Sequence, residues 1–405
     1  FSGAWCLVPG AYLLGAYMRV LHTSDWHVGK RLERHDRMDE HAAVIDEVVG
    51  IAASENPDLV LHSGDLFDRP VPTVEALSVG LGGLVRLADS GRRPVVVVAG
   101  NHDSPELFET LKPFLSPFGV HLVGKIMSAD EGGVITLSTG AGIAHVACLP
   151  FLRASQVVDF MSMTDDWYRT YAGRLQRIAE TYADDLGRLA KTGDATFLVG
   201  HYMISGVKVD TAGPRGERDI HIGQAYAATE SSVPTKLDYV ALGHIHAPQR
   251  APGANVPAEY AGSLLQLDFG EAGESKRVVV VDTKREGPAA VRSVPITAGR
   301  PLLRAEGRWE EITARTDLEG AFLDLTVHTD GPEPDLMDRA RERFPGVVKV
   351  RAEYPRKEST RRVSSGRPWG DLYAEYHTET HGAAPSAGLA TLFEEIREEV
   401  TDAPS

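Results

Sequence analysis

The sequence predicts an α/β fold in which two β-sheets stack face to face and helices cover both outer surfaces, a four-layer α/β/β/α sandwich. Three observations lead to this fold class. Apolar strands and helical segments alternate over residues 19–103, which is the rhythm of a parallel sheet. Short apolar runs separated by glycine turns follow over residues 119–150. Five apolar runs along the chain each lead into a polar motif, and ligands bind at the carboxyl ends of strands in open α/β sheets.

The first half of the chain has a clear order of elements. A strand is expected at 19–23, followed by a helix whose apolar residues recur at helical spacing between 38 and 49. A second strand at 59–61 precedes a helix at 73–88. The run of four valines at 95–98 indicates a buried third strand. This βαβαβ order predicts a largely parallel sheet.

The second half of the first domain contains shorter strands and one long helix. Strands are expected at 121–123, 134–137 and 143–146, and the helix at about 168–190. Further strands are expected at 196–199, 239–242, 257–261 and 276–282. These elements close a domain of residues 18–285.

Four segments lie outside this domain. Residues 1–17 are expected to be a non-native or disordered extension, since no basic residue precedes their apolar run and a signal peptide is poorly supported. A strand–helix–strand unit predicts a small α+β capping domain at 286–355. Residues 356–385 mix charges, glycine and proline, which is typical of a linker. A helix in 386–405 carries an apolar stripe opposite a row of glutamates, and the stripe consists of Leu389, Leu392, Phe393, Ile396 and Val400.

The composition is that of a globular protein and excludes several classes. Hydrophobic residues make up 42% and charged residues 24% of the 405 residues, which is ordinary for such a protein. Two cysteines exclude a disulfide scaffold and favour the reducing cytoplasm. No apolar run is long enough to span a bilayer, so no membrane contact is expected. A net charge of −15 argues against an obligate nucleic-acid binder, unless bound divalent cations offset the carboxylates.

Five polar motifs follow predicted strands, and together they carry the functional prediction. Any one of them alone could be a turn, a surface pair or a chance zinc-like spacing. The set in this order is much harder to explain without function. The motifs are Ser24-Asp25-Trp26-His27, Gly64-Asp65-Leu66-Phe67-Asp68, Gly100-Asn101-His102-Asp103, Gly200-His201 and Gly243-His244-Ile245-His246.

The candidate ligands in these motifs predict a centre of two metal ions. Two carboxylates, one amide oxygen and four imidazoles are too many for one ion but suit two ions, ~3.5–4 Å apart, that share a carboxylate. Oxygen and imidazole ligands without thiolate favour Mn²⁺ or Fe²⁺ over a structural zinc site. Such a pair of ions favours in-line attack by hydroxide on a phosphoryl group. The candidates are Asp25, His27, Asp65, Asn101, His201, His244 and His246.

The remaining motif histidine, His102, is predicted to act on the substrate rather than on a metal. It would serve as general acid or stabilise charge in the transition state. Asp68 follows Asp65 by three residues and is predicted to hold His102 in the right tautomer, as carboxylates commonly do for imidazoles.

The order of the motifs resembles the calcineurin-like metallophosphoesterase superfamily. More narrowly, the chain resembles the SbcD family, the nuclease subunits of bacterial SbcC–SbcD complexes. The narrower resemblance lies in residues 21–27 (LHTSDWH), 64–68 (GDLFD), 238–249 (DYVALGHIHAPQ) and 260–264 (YAGSL), and extends over about residues 18–283. The C-terminal third is similar mainly in architecture.

The resemblance implies a role for each motif residue. His102 matches the catalytic histidine of the family, and the position of Asp68 is an aspartate in many members and a histidine in some. The first metal would take Asp25, His27 and His246, the second would take Asn101, His201 and His244, and Asp65 would bridge them.

The resemblance also implies an activity and a partner. The activity is Mn²⁺-dependent 3′–5′ exonuclease cleavage of double-stranded DNA and endonuclease cleavage of single strands and hairpins, in DNA repair, recombination and replication. The partner is an SbcC-type ATPase, in a heterotetramer with a homodimer of the nuclease near the nucleoid. The apolar stripe of the last helix is the candidate docking surface, a helix-in-groove contact. The alternative is that this helix packs on its own domain.

Two other functional classes compete with the DNA nuclease. One is a metallophosphodiesterase for a cyclic nucleotide or other small phosphate ester, which would need neither a capping domain nor a docking helix. The other is a scaffold without metals, which would have no reason to keep the full ligand set. Four basic residues near motif loops are expected to touch DNA phosphates: Lys30, Arg31, Arg153 and Lys208.

Overall fold

A computed structural model of the chain describes residues 16–152, 171–208, 228, 232–284, 287–355 and 367–401. The chain divides into two compact units between residues 354 and 355. None of the helices among the described residues combines the length and the apolar character needed to cross a membrane.

The first sheet of the larger unit has six strands. Four run parallel, β1 (Ala16–Thr23), β2 (Leu59–His62), β3 (Val95–Val98) and β4 (Val120–Val123). Two antiparallel strands, β11 (Arg277–Lys284) and β12 (Ala290–Pro295), complete the order β12-β11-β1-β2-β3-β4. The first three parallel strands, with the helices between them, are the predicted βαβαβ unit.

The second sheet also has six strands, in the order β5-β6-β7-β8-β10-β9. Its parallel centre is formed by the three strands β6, β7 and β8, and β10 extends it beside β8. The strands are β5 (Val134–Thr139), β6 (Gly142–Leu149), β7 (Ala195–His201), β8 (Tyr239–Gly243), β9 (Gln249–Arg250) and β10 (Ala258–Tyr260).

Helices cover the outer face of each sheet. The helices α1 (Met38–Glu55), α2 (Val74–Leu87) and α3 (Pro105–Leu115) pack on the first sheet, and α4 (Tyr171–Leu189) packs on the second. The start of α3 has the expected capping residue. The Ser104 hydroxyl accepts a hydrogen bond from the Leu107 amide at 3.2 Å, one residue before the proline that opens α3.

The core between the two sheets is mainly apolar. Leu61 and Val96 of the first sheet belong to the same buried cluster as Phe197 and Ala241 of the second, and each side chain is 0% exposed. Burial on both faces explains why these strands are continuous apolar runs in the sequence. The predicted four-layer α/β/β/α sandwich is confirmed.

Two predicted boundaries need correction. Residues 16 and 17, assigned to the extension 1–17, belong to β1, because Ala16 pairs with Lys284. The sequence predicts that the capping domain begins at residue 286, but residues 290–295 form β12 and pair with β11 in the first sheet. Residues 1–15 lie outside the described residues.

The capping region has a three-stranded parallel sheet in the order β13-β14-β15. Its sheet and helices enclose a separate core around Leu325, Leu336 and Phe344. The sequence does not predict the first strand, since that segment mixes arginine, glutamate and glycine with few apolar residues. The elements are β13 (Leu302–Arg308), α5 (Trp309–Thr313), β14 (Phe322–His328), α6 (Leu336–Arg343) and β15 (Val347–Glu353).

The capping region contacts the sandwich through a small apolar cluster that includes Leu32 and Phe322, and through polar groups and cations. The amide of Leu302 donates to the Gln266 side-chain oxygen at 2.6 Å. The guanidinium groups of Arg37 and Arg300 lie 5.4 and 5.1 Å from the centre of the Phe322 ring, within the range of cation–π attraction.

The described part of the smaller unit contains two helices, α7 (Trp369–His381) and α8 (Ala387–Thr401). The helix α7 corrects the prediction of a linker over 356–385. Its Tyr373 ring stacks on Phe393 of α8, with the ring centres 4.2 Å apart and the planes 3° from parallel. This stacking gives α7 a packing partner that the local mixture of charges, glycine and proline does not indicate.

Candidate metal centre

The five motifs meet at one edge of the two sheets. The three strands β1, β2 and β3 deliver the first three motifs, and β7 and β8 deliver the last two. The motif loops also bond to each other directly. The amides of Asp25 and His27 donate to the carbonyls of Gly64 and Asp65, each at 3.0 Å. The first two motifs therefore hold each other in register before any side chain is considered.

Backbone strain is concentrated in these loops. Four of the eight non-glycine residues with positive φ in the described part of the chain are predicted ligands. Such residues persist only where the surrounding structure determines the conformation, and they cluster at functional sites. The four are Asp25 (φ 49°), His27 (φ 44°), Asp65 (φ 53°) and His244 (φ 88°).

Two glycines of the motifs leave room for the predicted ligands. A Cβ atom at Gly100 would lie 2.0 Å from Asp65 Oδ1. A Cβ atom at Gly243 would lie 2.1 Å from the carbonyl oxygen of Ser63. Any side chain at either position would displace the loop that carries Asp65.

The predicted ligands form two groups. In the first, His27 Nε2 and His246 Nε2 face each other at 3.1 Å, and a carboxylate oxygen of Asp25 completes a triad whose ligand atoms lie within 4.8 Å of one another. In the second, Asn101 Oδ1 lies 3.0 Å from His201 Nε2 and 2.9 Å from His244 Nδ1.

One oxygen atom joins the two groups. Asp65 Oδ2 lies 3.4 Å from His27 Nε2 and 3.4 Å from His201 Nε2. The other oxygen of this carboxylate accepts a hydrogen bond from the His102 amide at 2.8 Å. Asp65 is therefore held between the groups, as a bridging ligand would be.

The residues fit divalent metal ions. Asp25 Oδ2 is buried and has no hydrogen-bond partner, and a buried polar atom without a partner is costly. The set of donors consists of carboxylate, amide and imidazole without thiolate, which suits metals such as Mn²⁺ and Fe²⁺. The side chains that sequence analysis predicts as ligands are thus brought together.

The imidazoles of the centre differ in protonation: His27 and His244 are neutral, whereas His201 has a raised pKa. Burial lowers the pKa values of the His27 and His244 imidazoles, that of His244 to about 3, so both are in the neutral form that binds metals. Burial also opposes protonation of His201, but the carboxylates of Asp65 and Asp25 outweigh it and raise its pKa to about 9. The same attraction holds the pKa of Asp65 well below its usual range despite burial.

His102 lies beside the first group, with its ring centre 4.8 Å from that of His27. The geometry also allows His102 to join His27 and Asp65 around one ion. Its Nδ1 bonds to the main-chain oxygen of Asp68 at 2.9 Å. Asp68 therefore holds His102 as predicted, but through its main-chain oxygen, and the prediction of its carboxylate is wrong. That carboxylate faces Lys30 Nζ instead, at 3.1 Å.

Sequence analysis does not identify two carboxylates that hold the ligands in place. Asp103 is fully buried and accepts hydrogen bonds from the amides of Gly100, Leu66 and Phe67 at 2.9–3.1 Å. It lies in the third motif, so its position is a signal. Glu271 accepts a hydrogen bond from His246 Nδ1 at 2.8 Å. Nothing near Glu271 in the sequence resembles a ligand motif.

The predicted DNA contacts have mixed surroundings. Lys30 is half-buried against Asp68. Arg31 is exposed and donates to the main-chain oxygen of Arg34 at 2.8 Å. Lys208 is exposed. Arg153 lies outside the described residues.

The predicted partner stripe on α8 is divided between two environments. Phe393 packs against Tyr373 within the unit. The side chain of Val400 lies outside the described residues. The other three residues are 37, 49 and 52% exposed, namely Leu389, Leu392 and Ile396.

Replacing Asp103 with alanine would leave three buried N–H groups without an acceptor. A buried donor without a partner costs ~1–3 kcal/mol. Part of that cost is offset, because the substitution also removes a charge that burial and the nearby Asp65 carboxylate disfavour. We expect the free energy of unfolding to fall by about 2–4 kcal/mol in a urea titration. Asp184→Ala, on the exposed face of α4, is the control and should change stability by less than about 0.5 kcal/mol. An Asp103→Ala protein as stable as wild type would contradict the structural role of this carboxylate.

Family models match most of the chain. A model of the calcineurin-like phosphoesterases matches residues 18–248. A model of the type 5 capsule protein repressor C-terminal domain matches residues 298–378. The second match covers the capping region and much of α7, so it extends into the predicted linker.

Curated relatives cover most of the chain as well. The SbcD subunit of the nuclease SbcCD from Bacillus subtilis (strain 168) is 31% identical over 389 residues, which are 94% of this chain and 97% of that protein. The protein of the same name from Rhodobacter capsulatus is 32% identical, with 81% and 85% covered. The one from Escherichia coli (strain K12) is 27% identical, with 77% and 78% covered. The chain therefore belongs to the calcineurin-like phosphoesterase family and, within it, to the SbcD family of nuclease subunits.

Proposed function

We propose that this protein is the DNA-cleaving subunit of an SbcCD-type complex and hydrolyses phosphodiester bonds with two divalent metal ions. The observation that carries the proposal is the position of Asp65 Oδ2, 3.4 Å from an imidazole of each ligand group. A carboxylate shared in this way suits two ions rather than one. The names of the relatives, all subunits of a nuclease, support DNA as the substrate.

Each group of residues would hold one ion. Asp25, His27 and His246 would bind the first, and Asn101, His201 and His244 the second, with Asp65 between them. When bound, the two ions supply positive charge that polarises the phosphodiester and makes a water molecule more acidic. The mixed oxygen and nitrogen ligands suit Mn²⁺ or Fe²⁺, and Mn²⁺ is the proposed metal.

His102 would donate a proton to the leaving group or stabilise its negative charge. Its Nδ1 faces a carbonyl oxygen, that of Asp68 at 2.9 Å. A carbonyl oxygen only accepts hydrogen bonds, so Nδ1 carries its hydrogen, and Nε2 is the atom that can hold or release a proton. The residue is partly exposed, so a substrate can reach it. His102 thus donates to the leaving oxygen or stabilises its charge.

DNA and an ATPase are the proposed partners. The activities would be 3′–5′ exonuclease cleavage of duplex ends and endonuclease cleavage of single strands and hairpins. An SbcC-type ATPase would complete a heterotetramer with a homodimer of this chain, in DNA repair, recombination and replication. A DNA substrate would also place the protein in the cytoplasm near the nucleoid. With a net charge of −15, much of the DNA affinity must come from the bound cations and the partner.

Two substrates assayed with Mn²⁺ test the proposal. A long labelled duplex and bis-p-nitrophenyl phosphate are incubated with the protein, each with and without the SbcC-type ATPase and ATP. We expect duplex degradation that the ATPase and ATP stimulate. Hydrolysis of the small ester with no attack on DNA under any condition would contradict the proposal and favour a small phosphate ester as substrate.

The role of His102 predicts a loss of turnover that depends on the leaving group. In His102→Ala, DNA cleavage should fall about 10²–10⁴-fold, the usual contribution of a general acid. The loss on bis-p-nitrophenyl phosphate should be smaller, because p-nitrophenolate leaves with little help from a proton. His328→Ala is the control, since His328 lies on β14 and is exposed. Full DNA cleavage by His102→Ala with both metals bound would show that the assigned role is wrong.

The exposed residues of α8 predict a surface for the ATPase. Leu392→Glu with Ile396→Glu should abolish co-purification of the ATPase, because two carboxylates would enter an apolar contact. Hydrolysis of the small ester with Mn²⁺ should not change. Thr391→Glu, on the polar face of the same helix, is the matched control. Undiminished ATPase binding by the double variant would exclude this stripe as the docking surface.

A further inference from the structure

A buried ion pair lies beside Nδ1 of the predicted ligand His246, on the side of the ring away from the metal-facing Nε2. Glu271 Oε1 lies 2.8 Å from His246 Nδ1, and Glu271 Oε2 lies 2.7 Å from Lys276 Nζ. The side chains of Glu271 and Lys276 are 11 and 5% exposed. Burying two charges is expensive even when they are paired. An ion pair in this place therefore suggests a purpose beyond stability.

The surroundings leave Glu271 little freedom to move. Its Oε2 also accepts a hydrogen bond from the Leu267 amide at 3.0 Å. The Ser263 hydroxyl lies 3.2 Å from the same oxygen and donates to the Leu265 carbonyl at 2.8 Å. Lys276 in turn donates to the main-chain oxygen of His246 at 3.2 Å. The pair thus contacts both the imidazole and the backbone of the same residue.

This contact decides which nitrogen of His246 is free. An ionised carboxylate only accepts hydrogen bonds, so Nδ1 of His246 must carry the hydrogen. The lone pair of the neutral ring is then on Nε2, the atom that faces His27 Nε2 at 3.1 Å. A metal-binding imidazole is usually oriented in this way by a partner on its other nitrogen.

Other imidazoles of the centre have weaker acceptors behind them. The Nδ1 atom of His201 faces the main-chain oxygen of Ser63 at 2.8 Å. His27 Nδ1 has no hydrogen-bond partner, since the Asp68 carboxylate on that side of the ring lies 3.9 Å away. The Nδ1 atom of His246, in contrast, faces the carboxylate of Glu271. A carboxylate partner raises the basicity of the ring more than a carbonyl does.

We propose that Glu271, anchored by Lys276, is a positioning residue that fixes the tautomer and orientation of His246 for one metal site of the two. This inference rests on the proposed metal centre. It predicts an asymmetric defect, because only the site that contains His246 depends on Glu271. The second group, around His201 and His244, has no contact with Glu271 among the hydrogen bonds described.

The test is a titration with Mn²⁺ in the absence of DNA. Binding is measured by calorimetry and by the electron paramagnetic resonance signal of free Mn²⁺. Glu271→Gln preserves the shape of the side chain but can turn an N–H toward His246. We expect one of the two sites to weaken about 10–100-fold, the usual cost of losing such a partner, and the other to stay within about threefold.

A matched control separates this role from general destabilisation. Glu259→Gln also removes a half-buried carboxylate from an ion pair, with Arg277 at 2.8 Å, but none of the described hydrogen bonds or ion pairs joins Glu259 to His246. Both metal sites of the Glu259→Gln protein should bind Mn²⁺ with the affinities of the wild type. In the His246→Ala background, adding Glu271→Gln should cause no further loss, because the residue acts through His246. Additive losses would indicate a merely structural role and overturn the proposal.

Two further results keep the outcomes distinct. If Glu271→Gln does not fold, Glu271→Asp, which retains the charge on a shorter side chain, should weaken the same site by an intermediate factor, and unchanged binding would overturn the proposal. Wild-type protein that binds no Mn²⁺ would instead contradict the metal centre itself. Two wild-type sites that both persist unchanged in Glu271→Gln would contradict only the role of Glu271.

Discussion

The position of one carboxylate, that of Asp65, determines the geometry of the site. One of its oxygens accepts the His102 amide at 2.8 Å, and the other lies 3.4 Å from an imidazole of each ligand group. The backbone at Asp65 is left-handed, with φ at 53°, and Gly100 leaves the space that its side chain occupies. A shift of this loop would separate both ligand groups at once, which explains why the buried Asp103 braces it with two of its hydrogen bonds.

The fold supplies this constraint through two parallel sets of strands. Strands of the first sheet bring Asp25, Asp65 and Asn101 to one edge, and strands of the second bring His201 and His244 to the same edge. The core between the sheets is mainly apolar and buried, so the two edges have a fixed spacing. Ligands from distant parts of the sequence can therefore be positioned to within the tolerance that a metal centre requires.

Most of the sandwich and the composition of the site could be predicted from the sequence, because each polar motif follows an apolar run that only a buried strand explains. Contacts made by the main chain could not. His102 bonds to the main-chain carbonyl of Asp68 rather than to its carboxylate. Every residue has a main-chain carbonyl, so the sequence does not indicate such a bond. Glu271 is 25 residues from His246 along the chain, so their contact depends on tertiary packing. The helix α7 depends on stacking against α8, which local propensity does not show.

The proposed chemistry depends on two divalent ions that share Asp65. The most direct test is anomalous diffraction at the manganese edge from crystals grown with Mn²⁺. We expect two peaks ~3.5–4 Å apart, one beside His27 and His246 and the other beside His201 and His244, with an Asp65 oxygen between them. A single peak at saturating Mn²⁺, or two peaks with Asp65 bound to neither, would contradict a shared two-metal centre.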